Sequence, residues 1–277
     1  MENELDPRFV RQGLGTRYVG QHIYFFPILT STMDAARKAV GDGAAEGAIV
    51  LAGEQTEGRG RLKRAWISPR GCLACSLILY PEERYLFGLV MVATIAVAET
   101  VTEFTPIAAG IKWPNDVLVN GKKISGILIE TGPHVNKRDY AVVGIGLNVN
   151  LEPATCPEIG TTATSLSAEV GRELSRVVVL RTLLTKFERW YEALLNEEPV
   201  FEAWRAKLVT LGKEVQVRAG GVLYEGLAED VTRDGVLLLR SRDGSVVKMP
   251  AGDVTLKHPS LIASTPPKML YTEGAEE

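Results

Sequence analysis

Between residues 58 and 66 the chain places Gly58, Arg59, Gly60, Arg61, Lys63, Arg64 and Trp66 within a single turn-like stretch. Four cations and an indole share a loop whose glycines let the backbone come close to a ligand. Arginine forks match phosphate and carboxylate oxygens in pairs, and an indole face can carry an aromatic base. Chemistry that joins two anions, one of them a nucleotide, fits such a loop. A basic surface loop or a phosphate-backbone contact with nucleic acid would use the same residues.

A second cluster, Lys112-Trp113-Pro114-Asn115-Asp116, precedes a hairpin signal, Asn120-Gly121 between two β-type runs. Pro114 fixes a bend, so Trp113, Asn115 and Asp116 are expected to present polar groups at a strand end. With a two-residue loop, Val119 pairs with Lys122, Leu118 with Lys123 and Asp116 with Ser125. Side chains opposite one another share a face, which makes Asp116 a diagonal neighbour of Lys123. A lysine on such a strand is costly to bury without a partner. It is either a surface ion pair of little energetic weight or an ammonium positioned to stabilise charge.

The elements that must hold these clusters follow from periodicity. His22 to Phe26, Ala48 to Ala52, Cys75 to Tyr80 and Tyr140 to Val149 read as strands. Ser31 or Thr32 caps a helix that ends near Gly41 or Gly43. Leu86, Leu89, Val90, Ala93, Val97, Val101 and Phe104 recur at helical spacing and predict a helix over 85–104; Ser175 caps another through Leu194, and 198–209 is also read as helical. Beyond Leu211 the texture changes to short β runs with turns at Arg233-Asp234-Gly235 and Arg242-Asp243-Gly244, which predicts a small barrel. The division expected is a short leader at 1–20, a catalytic domain at 21–210, the barrel at 211–258 and a loose tail at 259–277.

Bulk numbers narrow the classes. A chain of 277 residues with 45% hydrophobic residues can build a sizeable core. The formal charge of −3 argues against a general nucleic-acid binder, and the barrel segment holds Glu225, Glu229, Asp230, Asp234 and Asp243 among its basic residues. No apolar run reaches the ~20 residues that span a bilayer, and no signal-peptide pattern opens the chain, so a cytoplasmic location without membrane association is expected. Cys72, Cys75 and Cys156 are too few and too odd in number for a disulfide framework. Cys72-Leu73-Ala74-Cys75 enters an apolar run and reads as buried thiols, since no second pair completes a zinc site. His22, His134 and His258 form no motif.

Taken together, these pieces resemble the biotin protein ligases of the kind without a DNA-binding domain. The matching residues are Ser31-Thr32, Gln55, the Gly58–Arg61 loop through Arg64 and Trp66, Lys112 to Asp116, Lys123 with Gly126, and Gly144-Ile145-Gly146-Leu147-Asn148. The resemblance implies an α+β fold: a mixed sheet with helices packed on it, like the class II synthetase core, and an SH3-like C-terminal barrel. It implies a two-step reaction in which the biotin carboxylate attacks the α-phosphate of ATP, releasing pyrophosphate. A lysine of a biotin carboxyl carrier domain then takes the biotinyl group and AMP leaves. Cations and Mg²⁺ must offset the repulsion between the anions, and the hydrolysable adenylate needs a covering loop.

By the same resemblance, Ser31, Thr32, Gln55, Gly58 and Gly126 contact biotin, and Arg59 and Arg61 line its activated carboxylate. Lys123 is the key catalytic lysine. Arg64, Trp66, Lys112, Asn115, Asp116 and Asn148 serve the ATP side, and Ile124 to Ile129 with Ile145 are apolar walls or plain core. Mg²⁺ travels with ATP, near Asp116, rather than in a protein ligand cluster. No winged helix, which needs roughly sixty residues, fits the leader, so no DNA partner is expected, and a homodimer is left open. Asp34 has no assigned role, and Glu57 is available to pair with a loop arginine. The 57–66 loop, with no apolar anchor before Trp66, is expected to be mobile without ligand. A lipoate ligase or octanoyl transferase of the same superfamily is the sister reading, and a nucleic-acid-binding module is the reading from another class.

Overall fold

The computed structural model describes residues 5–133 and 139–256; the expectations for His134, His258 and the tail lie outside them. Seven strands form one sheet in the order β1-β2-β3-β7-β6-β5-β4. They are β1 (Ile23–Phe26), β2 (Ile49–Ala52), β3 (Leu73–Leu79), β4 (Gly110–Lys112), β5 (Asp116–Val119), β6 (Lys122–Gly132) and β7 (Tyr140–Leu147). β1 runs parallel to β2 and the remaining pairs are antiparallel, so the sheet is mixed.

Alternation along the strands divides the sheet into two faces. Ile49, Leu51, Leu77, Leu79, Val143 and Ile145 join the main core with helix α3 (Gly88–Phe104) and helix α5 (Arg176–Leu195). Val50, Ile78 and Val142 point the other way and pack with Met33, Ala36 and Val40 of helix α2 (Thr32–Gly41). The two helices read at 85–104 and after Ser175 are therefore the ones that cover the main core. Ile124, Ile127 and Ile145, read as pocket walls or core, belong to that core.

The stretch read as a leader is part of the fold. Asp6 caps helix α1 (Pro7–Arg11), and Leu5, Val10, Leu14 and Val19 are buried in the main core. Glu188 on α5 accepts hydrogen bonds from the backbone N–H groups of Arg17, Tyr18 and Val19 at 2.6, 3.0 and 2.9 Å. A polar composition hid an apolar residue at every few positions.

The C-terminal unit is an antiparallel sheet in the order β11-β10-β9-β8-β12. Its strands are β8 (Glu214–Ala219), β9 (Val222–Val231), β10 (Leu237–Arg240), β11 (Val246–Met249) and β12 (Asp253–Leu256). Gly235 and Gly244 occupy left-handed turns, with φ of 82° and 86°, at the two Asp-Gly signals. Trp113 joins this unit to the larger sheet. It is fully buried, its indole Nε1 donates to the Gly235 carbonyl at 2.8 Å, and its backbone N donates to Thr210 Oγ1 at 2.9 Å. Trp113 is thus an inter-domain peg rather than a polar group presented at a strand end.

Candidate active site

A hollow opens on the α2 face because β6 and β7 present almost no side chains there. Gly126 faces Gly146 across the two strands, and Gly144 faces Leu128 on one side and Ser76 on the other. These glycines are required by space. A Cβ on Gly146 would lie 2.3 Å from the Trp66 ring, and one on Gly144 would lie 2.5 Å from Met33 Sδ. The same cavity is lined by Thr32, Gln55, Arg59, Arg61, Arg64, Trp66, Asn115, Asp116 and Lys123, all of them sequence-predicted.

At the α2 end of the hollow a polar chain forms. Ser76 Oγ donates to Thr32 Oγ1 at 2.9 Å, and Thr32 donates from its backbone N and Oγ1 to Gln55 Oε1 at 2.8 and 3.0 Å. Ser31 Oγ is buried and has no hydrogen-bond partner among the described residues. Such unpaired buried hydroxyls are uncommon in folded proteins, and Ser31 itself is not among the residues that line the cavity.

At the other end stands the hairpin. Val119 pairs with Lys122 and Leu118 with Lys123, as the two-residue loop requires, with Asn120 and Gly121 at φ of 50° and 77°. The expected Asp116–Ser125 pairing does not hold. A bulge shifts the register so that Val117 faces Ser125 and Asp116 faces Gly126. The bulge is held by the 162–164 segment, where Lys123 N donates to Thr162 O and Thr164 N donates to Lys123 O. Ser125 is consequently buried and bonds the Gly146 carbonyl at 2.6 Å. Lys123 Nζ still meets Asp116, at 2.6 Å, and lies 5.4 Å from the centre of the Trp66 ring. Lys112 Nζ approaches the second oxygen of Asp116 at 3.6 Å.

The cationic loop forms the roof and has more structure than its sequence suggests. Trp66 N donates to Gly58 O and Gly60 N to Arg64 O, both at 2.8 Å, so the loop doubles back as a small hairpin. A Cβ on Gly58 would lie 2.3 Å from Trp66 O. Each arginine has a partner, and none of these partners is Glu57. Arg59 pairs with Asp34 and Glu130, at 2.9 and 3.4 Å. Arg64 pairs with Asp253 of the C-terminal unit at 2.6 Å. Arg61 donates to Asn115 Oδ1 at 3.0 Å and to Gly252 O at 3.3 Å. The loop's expected lack of an apolar anchor is accompanied by polar contacts to distant residues.

Arg61 is the electrostatic exception. Among the described residues it makes no ion pair, and burial lowers the pKa of its guanidinium, an effect that the charges of Asp116 and Asp253 oppose. Even a half-buried cation without a touching carboxylate is costly unless an anion joins it. Burial also pushes the Asp253 carboxyl up, but its bond to Arg64 and the charges of Arg64, Lys112 and Lys123 outweigh this and hold it below the usual carboxylate range.

Asn148 stands apart from the cavity lining. It is buried, donates to the Thr164 carbonyl at 2.9 Å and braces the 162–166 segment. Met33, Gly252 and Asp253 line the cavity without having been singled out for it. Met33 follows the Ser-Thr pair directly and was legible as a neighbour. Asp253 opens β12, and no local pattern announces its contact with Arg64. Among the described residues, no group of three or more His, Cys, Asp or Glu could hold a metal ion, and no helix is long and apolar enough to cross a membrane.

With this geometry in view, comparison with known proteins is specific. Residues 25–148 match the biotin/lipoate A/B protein ligase family, and residues 210–257 match the biotin protein ligase C-terminal domain. A bifunctional ligase/repressor of Bacillus subtilis is 35% identical over 253 residues, covering 89% of this chain and 78% of that protein. A biotin–[acetyl-CoA-carboxylase] ligase of Paracoccus denitrificans is 35% identical over 240 residues, covering 81% of this chain and 97% of the relative. Among solved structures, the biotin protein ligase of Aquifex aeolicus in complex with biotin and ATP superposes with a TM-score of 0.74 at 29% identity, over 86% of this chain and 99% of that one. The two matched units, the glycine-floored hollow and its roof of cations carry one conclusion: this chain belongs to the biotin protein ligase family.

Proposed function

We propose that the hollow binds biotin and ATP side by side, forms biotinyl-5′-AMP, and passes the biotinyl group to a lysine of a biotin carboxyl carrier domain. Arg61 carries the reading, as a half-buried guanidinium that, among the described residues, is within hydrogen-bond reach of uncharged oxygens alone, in a cavity whose other cations already have carboxylate partners. A carboxylate and an α-phosphate supply the missing charge.

The polar chain of Thr32, Gln55 and Ser76 suits a ureido ring that both donates and accepts. The floor of Gly126, Gly144 and Gly146 admits the flat body of the ligand close to the strands. Lys123 and Arg61 would stand beside the reacting groups, with Lys112 and Arg64 on the phosphate side. A carboxylate oxygen forms the bond to the α-phosphorus as pyrophosphate departs. The acceptor lysine nitrogen then forms the amide as AMP departs. Positive charge on both sides of the new bond offsets repulsion between the anions, and holding them together removes the entropic cost of encounter.

The described residues do not offer a resident Mg²⁺ site. Asp116 is already engaged by two lysines and Asp253 by Arg64, so the ion is proposed as a companion of the ATP phosphates. A cytoplasmic location accords with the chemistry. Incubation with biotin, ATP, Mg²⁺ and a carrier domain should add one biotinyl mass to a single carrier lysine. An unmodified carrier, or equal modification of a carrier whose lysine is replaced by arginine, would count against the proposal.

A further inference from the structure

Two acidic residues that belong to no recognised motif meet the roof. Asp34 lies in the first turn of α2, and Glu130 lies on β6, on the same face as Gly126 and Leu128. With Arg37 and Arg59 they close a ring of alternating charge. Asp34 Oδ1 contacts Arg37 and Arg59, and Glu130 contacts Arg59 through Oε1 at 3.4 Å and Arg37 through Oε2 at 3.5 Å. The side chains are partly exposed, but some of the meeting atoms are shut off from water. Arg59 Nε and Nη2 and Glu130 Oε2 are buried and make no aligned hydrogen bond. Arg37 donates a hydrogen bond to Asp34, whereas charge without an aligned hydrogen bond holds Arg59 to both carboxylates.

Arg59 and Arg61 therefore face different tasks although they are two residues apart. Arg59 meets two carboxylates from two elements that frame the hollow, whereas Arg61 meets none. We propose that Asp34 and Glu130 are positioning residues that fasten the roof over the hollow through Arg59, so that Arg59 serves closure while Arg61 serves the reacting anions. This rests on the proposed reading of the hollow as the adenylate site. Arg37 completes the ring from α2 and keeps the two carboxylates from repelling each other.

The test separates retention from chemistry. In the full chain carrying Asp34→Asn and Glu130→Gln, biotinyl-adenylate formed without acceptor should leave the protein roughly fivefold faster, the size that two half-exposed ion pairs supply. The rate of adenylate formation at saturating biotin and ATP should stay within about twofold of the parent, because Arg61 and Lys123 are untouched. Asp34→Glu, which keeps the charge, should restore slow release. Asp34→Asn alone, at a side chain 46% exposed, keeps the test open should the double variant unfold; its release should rise about twofold. Parent-like release from a folded variant would overturn the proposal, as would a fall in adenylation that Asp34→Glu does not reverse. A parent that forms no adenylate would instead remove the reading on which the proposal rests.

Discussion

Lys123 is the residue on which sequence and geometry converge most closely. Its partner, its exposure and its distance from Trp66 all place the ammonium at the mouth of the hollow rather than in the core. Lys123→Ala should lower adenylate formation by about 10²–10³-fold, the range for removing one group that stabilises developing charge. The fold should stay intact, because the ammonium acts through charge and Asp116 keeps Lys112 as a partner; parent-like turnover would contradict the role. The cysteines lead to a quieter expectation. Burial pushes the thiols of Cys72 and Cys75 up to about 12, so both stay protonated and protected at pH 8. A thiol reagent at that pH should titrate Cys156 alone in the folded chain and all three after denaturation.

At the scale of elements, the hollow is made by what β6 and β7 lack. Gly146 stands under the Trp66 indole, and Gly146→Ala must move either the ring or the strand. We expect that variant to bind biotin at least tenfold more weakly, since 1.4 kcal/mol of displacement suffices, as measured by calorimetry; unchanged affinity would show that Trp66 moves freely. The elements were largely legible. Short apolar runs marked the strands, 3.6-residue spacing marked α3 and α5, and Asn120-Gly121 marked the turn. The bulge after Lys123 was not legible, because it depends on the 162–164 segment, distant in sequence. The partners of Arg59 and Arg64 were hidden for the same reason. Asp34, Glu130 and Asp253 look like ordinary surface acids until folding brings them to the roof. Asn148 had the opposite fate, for its motif pointed to the nucleotide and its bonds lie in the core.

For the whole molecule, the C-terminal unit is part of the site's architecture. Trp113 pegs it to the larger sheet, and Asp253 reaches the roof through Arg64. Trp113→Ala should cost about 3–5 kcal/mol by denaturant unfolding, as for other buried tryptophans. Asp253 carries a carboxyl held below its ordinary value of 3.8, so its tie to Arg64 contributes fully above that pH and is lost only as the pH falls further. Tryptic cleavage at Arg64 should accordingly be slow at pH 8, and faster in Asp253→Asn at the same pH. Within the glycine-floored hollow this molecule should join a biotin carboxylate to AMP. On incubation with α-labelled ATP and Mg²⁺, with biotin or with lipoate, label should enter biotinyl-adenylate and no lipoyl product; a lipoyl-adenylate, or no adenylate at all, would rule that chemistry out.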